Sequence, residues 1–225
     1  MNRNRKNVTG LVLVILSMAM PLESIANSNK DTAPIDTTSR PENKSTQTEE
    51  TNQQLTNQQL TNQDGNSIII EKHAQGKISL VNFIYTHCKH VCPTQTASLS
   101  AIQKQLPKAI KSNIIFYSIT TDPERDTPIR LQQYAASFNT DLDYWHFLTG
   151  QPNSVNKLVH QFNARNTQAN ASPQDHRDTV YMLGPNFNVI QVYNGSPLNR
   201  QRLVKELVAA EQIFLARQDR LSVTK

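Results

Sequence analysis

Leu80-Val81-Asn82-Phe83-Ile84-Tyr85-Thr86-His87-Cys88-Lys89-His90-Val91-Cys92-Pro93 combines a strand, a turn holding two cysteines and the start of a helix. Leu80 to Tyr85 follows Gly76-Lys77, is short and apolar with one polar interruption, and predicts a strand buried on both faces. It ends at a Thr-His-Cys turn. Pro93 fits a first helical position, where its missing N–H would lack a partner anyway. Leu99, Ile102, Leu106 and Ile110 then recur at spacings of three, four and four, which puts one apolar stripe against a sheet. The cysteines therefore lie where a strand hands over to its helix, the end at which open α/β sheets present ligands.

The alternation continues on both sides. Ile114 to Ile119 predicts a second buried strand, and Thr127-Pro128 opens a helix with Leu131, Tyr134, Ala135 and Phe138 on one face. Trp145 to Leu148 is a short apolar segment ahead of a third helix carrying Val155, Leu158, Val159 and Phe162. Thr179 to Leu183 and Val189 to Tyr193 flank the turn Gly184-Pro185-Asn186-Phe187 and predict an antiparallel hairpin. Leu203, Leu207, Ala210 and Phe214 make a closing helix amphipathic. Upstream, Asp64-Gly65 before Ile68 to Ile70 predicts a hairpin reaching back to Leu60. This order resembles the thioredoxin-like class: α/β, a mixed sheet with flanking helices, here with an added N-terminal hairpin.

Arg3, Arg5 and Lys6 precede the apolar stretch Leu11 to Met20, and Ser24 and Ala26 occupy the −3 and −1 positions of a small-residue cleavage site. Residues 1–26 thus read as a signal peptide. The apolar part is shorter than the roughly 20 residues that span a bilayer, so membrane contact is expected only if the segment stays uncleaved. Export to the periplasm would put Cys88 and Cys92, the only two cysteines, where a pair can oxidise. Residues 27–59 are rich in Thr, Asn, Gln and Ser, with Thr51-Asn52-Gln53-Gln54-Leu55 echoed at Thr56 to Leu60, and read as a disordered polar linker. The domain is expected at 60–217, with a C-terminal tail at 218–225.

The net charge of +5 divides into +2 over residues 1–26, −3 over 27–66 and +6 over 67–225, without a concentrated basic run, so a nucleic-acid partner is not expected. A mean hydropathy of −0.55 with a single apolar run excludes a polytopic membrane protein. No Gly-x-Ser-x-Gly elbow or phosphate-cradling glycine loop is present, which removes the serine hydrolase and nucleotide-binding classes.

Cys92, just before Pro93, is expected at the helix N-cap, where the dipole and free N–H groups favour the thiolate. A purely structural disulfide is the plain alternative, but closing so short a loop removes only about 2 kcal/mol of unfolded-state entropy.

These residues resemble the Sco/SenC copper proteins of cytochrome oxidase assembly. The resemblance rests on Asn82 to Cys88, the Cys-x-x-x-Cys-Pro of Cys88 to Pro93, Thr121-Asp122-Pro123-Glu124-Arg125-Asp126-Thr127, Trp145 to Gly150 and Asp175-His176. It covers about residues 60–215. The departures are the polar spacer in place of the family's usual membrane anchor and Arg177 after His176. The resemblance implies copper, as Cu(I) or Cu(II), held by Cys88, Cys92 and His176, with cytochrome c oxidase subunit II or a similar copper acceptor as partner. Two thiolates and an imidazole suit Cu(I), and an added ligand would suit Cu(II).

Zinc competes, with His87 or His90 as a fourth ligand. His146 reads as a packed histidine, and His73 and His160 as surface residues. Asp122 reads equally as a turn former and as a side chain supporting the metal site. Three functions follow: a metallochaperone, a thiol–disulfide oxidoreductase using Cys88 and Cys92 as its redox pair, and a redox or copper sensor. The Cys-x-x-x-Cys spacing and the lack of a proline just before Thr179 separate the chain from ordinary thioredoxins.

Overall fold

The computed structural model describes residues 58–165 and 175–223, so the predicted signal peptide and nearly all of the predicted linker lie outside the described residues. The elements are β1 (Gln59–Asn62), β2 (Ser67–Ile69), α1 (Ile70–His73), β3 (Ile78–Ile84), α2 (Val91–Gln105), α3 (Lys108–Lys111) and β4 (Ile114–Thr120). They continue as α4 (Pro128–Ala136), β5 (Trp145–Thr149), α5 (Pro152–Gln161), β6 (Thr179–Leu183), β7 (Val189–Asn194) and α6 (Arg200–Val223).

The strands form one seven-stranded sheet in the order β2-β1-β5-β4-β3-β6-β7. β3, β4 and β5 are parallel, while β6 pairs antiparallel with β3 and β7 with β6. The predicted N-terminal hairpin is present as β1 and β2, and β1 also pairs antiparallel with β5. Every residue of β3 and β4 is buried, as their near-continuous apolar runs require.

Successive strand residues point to opposite faces and so build two cores. Leu80, Ile84, Phe116, Trp145, Phe147 and Met182 meet Leu99 and Ile102 of α2 and Leu203 and Leu207 of α6. Val81, Phe83, Tyr117, Leu148 and Tyr181 meet Ile70 of α1 and Val155, Leu158 and Val159 of α5. A buried polar chain locks α2 to the first of these faces. Trp145 Nε1–H donates to Ser118 Oγ at 2.9 Å, Ser118 to Asn82 Oδ1 at 2.7 Å, and Asn82 Nδ2–H to Gln95 Oε1 at 2.9 Å. Gln95 lies just beyond Cys92 on the same helix, so this chain sets how that helix presents its first turn.

Several expectations need adjustment. Trp145 to Leu148 is part of a strand, because its alternate residues Trp145 and Phe147 pack on one face of the sheet. The helix after the cysteines starts at Val91 with His90 as N-cap, so Pro93 is its third residue rather than its first. Thr127 does cap α4, its hydroxyl accepting from the Arg130 N–H at 3.4 Å. α6 continues to Val223, past Arg217, where the amphipathic pattern was expected to give way to a tail. Among the described residues no helix is long and apolar enough to cross a membrane.

Candidate metal centre

The turn after β3 is organised by a carboxylate. Asp126, 0% exposed, accepts from the Thr86 N–H at 3.0 Å, the Thr86 hydroxyl at 2.5 Å and the Thr120 hydroxyl at 2.6 Å. The turn closes with the Cys88 N–H donating to the Tyr85 carbonyl at 3.1 Å. This carboxylate was missed in the sequence, where Asp126 before Thr127-Pro128 resembles an ordinary helix-start charge. Asp122 takes the turn-forming role: its carboxylate accepts from Arg125 Nε at 2.5 Å, and its carbonyl from the Asp126 N–H at 2.9 Å.

Cys88 and Cys92 are both free thiols. The Cys92 N–H donates to Cys88 Sγ at 3.3 Å, as expected for a sulfur beside the open N–H groups of a helix start. His176, 84 residues beyond Cys92, places Nε2 3.3 Å from Cys92 Sγ. Its Nδ1 lies 3.1 Å from the Arg177 carbonyl, which can only accept, so Nδ1 carries the proton and the Nε2 lone pair faces the sulfur. A bridge between Arg165 and His176 holds this segment, and the Tyr85 ring packs edge-on to the imidazole at 5.5 Å.

The two thiols differ, and Cys92 does so against expectation. Cys92 is the second helical residue, 1% exposed and packed into the α2–α6 core. Burial first, and then the contact with Cys88, pushes its thiol well up. Desolvation outweighs the helix-end field that was expected to favour its thiolate. Burial also opposes ionisation of half-buried Cys88, but hydrogen bonds from the Cys92 N–H, the Cys92 thiol, the His90 backbone and Tyr85 outweigh it, leaving the Cys88 thiol below its usual range. Burial, then the Cys88 contact, pushes the Tyr85 hydroxyl up to about 12. Burial lowers His176, with the Arg177 carbonyl and Asp178 opposing, so its imidazole is neutral near pH 7.

This donor set fits a soft first-row cation. Bonds of about 2.3 Å to sulfur and 2.0 Å to nitrogen set the two donors about 3.3–3.7 Å apart at angles of about 100–120°. The Cys92–His176 spacing of 3.3 Å falls at the edge of that range. Among the described residues no three of His, Cys, Asp and Glu are grouped closely enough to hold a metal ion, so a cation joining Cys88 to the pair would have to draw its sulfur in and displace the Cys92 N–H from it.

The alternative ligands are held elsewhere. His87 Nε2 faces Arg130 Nη1 at 3.3 Å, and its Nδ1 lies 3.9 Å from Asp126 Oδ1. His90 is the exposed helix cap, and His160 is exposed on α5. His146 is packed, as expected. His73 is exposed, as expected, and its ring lies against those of His146 and Tyr117.

Residues 46–211 match the model of the SCO1/SenC family. The chain belongs to this family. It is 33% identical over 138 residues to the SCO1 protein homolog of Bacillus subtilis, covering 59% of this chain and 69% of that protein. It spans 39% of the length of the mitochondrial SCO1 homolog 1 of Arabidopsis thaliana and 50% of that of the SCO2-like protein of Rickettsia felis, which it also matches. Among solved structures it resembles BsSco, described as a member of the Sco family of cytochrome c oxidase assembly proteins with a disulfide switch. That match is at 29% identity and a TM-score of 0.58, over 68% of this chain and 90% of that one. It also resembles copper-bound ScoI of Bradyrhizobium japonicum at 25% identity and a TM-score of 0.54, over 66% and 96% of the two chains. The expected thioredoxin-like sheet is thus the SCO1/SenC fold.

Proposed function

We propose that this SCO1/SenC chain is a periplasmic copper metallochaperone that binds one copper ion through Cys88, Cys92 and His176. It would deliver that ion to the binuclear copper site of cytochrome c oxidase, in subunit II or a similar acceptor. The observation that carries the reading is the approach of His176 Nε2 to Cys92 Sγ at 3.3 Å, its lone pair aimed at the sulfur by the Arg177 carbonyl. The copper-bound relative supports the choice of metal. Softness supports it too: two thiolates and a neutral imidazole favour Cu(I), and a ligand that loops can release suits transfer better than a closed four-ligand site.

Copper analysis of the reduced protein tests this. One equivalent of Cu(I) is expected in the native chain and none in Cys88→Ser or Cys92→Ser. His176→Ala should lose Cu(II) more completely than Cu(I), because Cu(II) needs the nitrogen donor. Unchanged one-to-one loading of Cys88→Ser would overturn the ligand set.

The second reading, thiol–disulfide exchange with a partner, is favoured by one feature: a half-exposed, acidified Cys88 beside a buried Cys92. In exchange, the Cys88 thiolate would attack a partner disulfide and Cys92 would resolve the mixed disulfide. His176→Ala separates the two functions, since exchange needs no imidazole. Full restoration of oxidase activity at limiting copper by a variant unable to hold the metal would favour exchange.

A further inference from the structure

The face of the sheet away from the thiols carries a group of side chains that the copper chemistry above does not use. Tyr117 of β4 and His146 of β5 are partners in the parallel ladder and stack with ring centres 6.0 Å apart. His73 ends α1 and closes over them. Its Nδ1 lies 2.7 Å from the Tyr117 hydroxyl, and its ring centre lies 4.8 Å from that of His146. His146 Nδ1 is buried without a hydrogen-bond partner. Leaving such a nitrogen unpaired costs about 1–3 kcal/mol.

We infer that His73 and His146 form a second metal site, a bis-imidazole site for Cu(II), on the opposite face of the sheet from Cys88, Cys92 and His176. This inference does not rest on the chaperone reading. Bonds of about 2.0 Å, with each ring centre about 1.1 Å behind its nitrogen, set two imidazoles on one ion about 4.4–5.1 Å apart between centres, at angles of about 90–110°. The observed 4.8 Å lies within that interval.

Tyr117 supplies what a ligating histidine normally has, an oxygen for the ring nitrogen that does not bind the metal, so that Nε2 of His73 is free for the ion. Burial pushes the Tyr117 hydroxyl up, so it stays protonated and acts as a hydrogen-bond partner rather than a ligand. Two charged groups act on His146 from outside the ring cluster: Asp64, in the β1–β2 turn, and Lys77, just before β3. The charge of Asp64 favours a cation beside His146, and that of Lys77 opposes it. Nitrogen donors completed by oxygen from water or carboxylate form a borderline set on which Cu(II) binds tightest among first-row divalent ions.

The test removes the first donor set. The full chain carrying Cys88→Ser, Cys92→Ser and His176→Ala is titrated with Cu(II) sulfate and followed by electron paramagnetic resonance. One equivalent with splitting from two nitrogens is expected. Adding His73→Gln or His146→Gln should weaken binding at least about 10-fold, and Tyr117→Phe about 10-fold with the stoichiometry kept. Adding His87→Gln together with His90→Gln should change nothing. An equivalent that survives both His73→Gln and His146→Gln, or one lost with His87 and His90, overturns the site. If the His146 variant fails to fold, histidine ring signals of the parent are read by NMR under substoichiometric Cu(II). Joint broadening of His73 and His146 upholds the site, and broadening confined to His87 and His90 overturns it.

Discussion

Two groups of donors stand on opposite faces of one sheet and are built by different means. Cys88, Cys92 and His176 come from a turn, a helix start and a segment far along the chain, and they meet beyond the carboxyl end of β3. His146 and Tyr117 sit in register on neighbouring strands, with His73 added from a single-turn helix. The first group depends on loops, and its side chains are tuned separately, Cys92 and His176 mainly by burial and Cys88 by hydrogen bonds from backbone and neighbours. The second depends on the sheet, and burial, joined by the charges of neighbouring side chains, sets its protonation. A loop-borne set can open to pass a metal on, whereas a strand-borne set keeps its geometry.

The sharpest way to break this contrast is at Asp126, which supports only the loop-borne set. Asp126→Ala leaves the Thr86 N–H, the Thr86 hydroxyl and the Thr120 hydroxyl without their acceptor. It should destabilise the domain by about 3 kcal/mol in urea unfolding. Asp126→Asn keeps part of that acceptor and should fold, with weakened Cu(I) retention but unchanged NMR signals for His73 and His146. If those signals moved as much as copper retention fell, the two faces would not be independent.

A smaller effect lies within the thiol pair. Because Cys88 is acidified and half-exposed while Cys92 is buried with its thiol pushed up, iodoacetamide should modify Cys88 at least about 10-fold faster in the reduced protein. Mass spectrometry of partly alkylated protein checks this, and first labelling at Cys92 would reverse the assignment.

The smallest effect concerns pH. Burial first, and then His73, takes His146 down to about 4, from an unfolded value near 6.5. Between those values the unfolded chain binds more protons than the folded one, so this residue lowers stability progressively as pH falls from about 6.5 to about 4 and has no such effect above that window. His146→Phe should flatten that part of the stability curve in urea titrations. An acid slope equal to that of the native chain would place the proton-sensitive group elsewhere.

Much of this architecture is legible in the residues. The buried strand at Leu80 to Tyr85, the helices carrying Leu99 and Leu131, the hairpin around Gly184-Pro185 and the turn at Asp64-Gly65 all announce themselves by periodicity or turn chemistry. α1 and α3 do not, because four residues are too few to show a helical period. Trp145 to Leu148 is equally short, and only its pairing with β4 identifies it as a strand.

The candidate site divides in the same way. The thiol spacing, the proline after Cys92 and the motifs around Asp122 and His176 are local, and they were enough to point to the family and its metal. Folding alone brought His176 to Cys92 across 84 residues, made Asp126 rather than Asp122 the anchor of the cysteine turn, and set His73 beside His146. It also overturned the expected thiolate at Cys92. Helix position can be read from a chain, but desolvation depends on what other segments pack against a side chain, and for Cys92 those include the segment of His176, 84 residues further on.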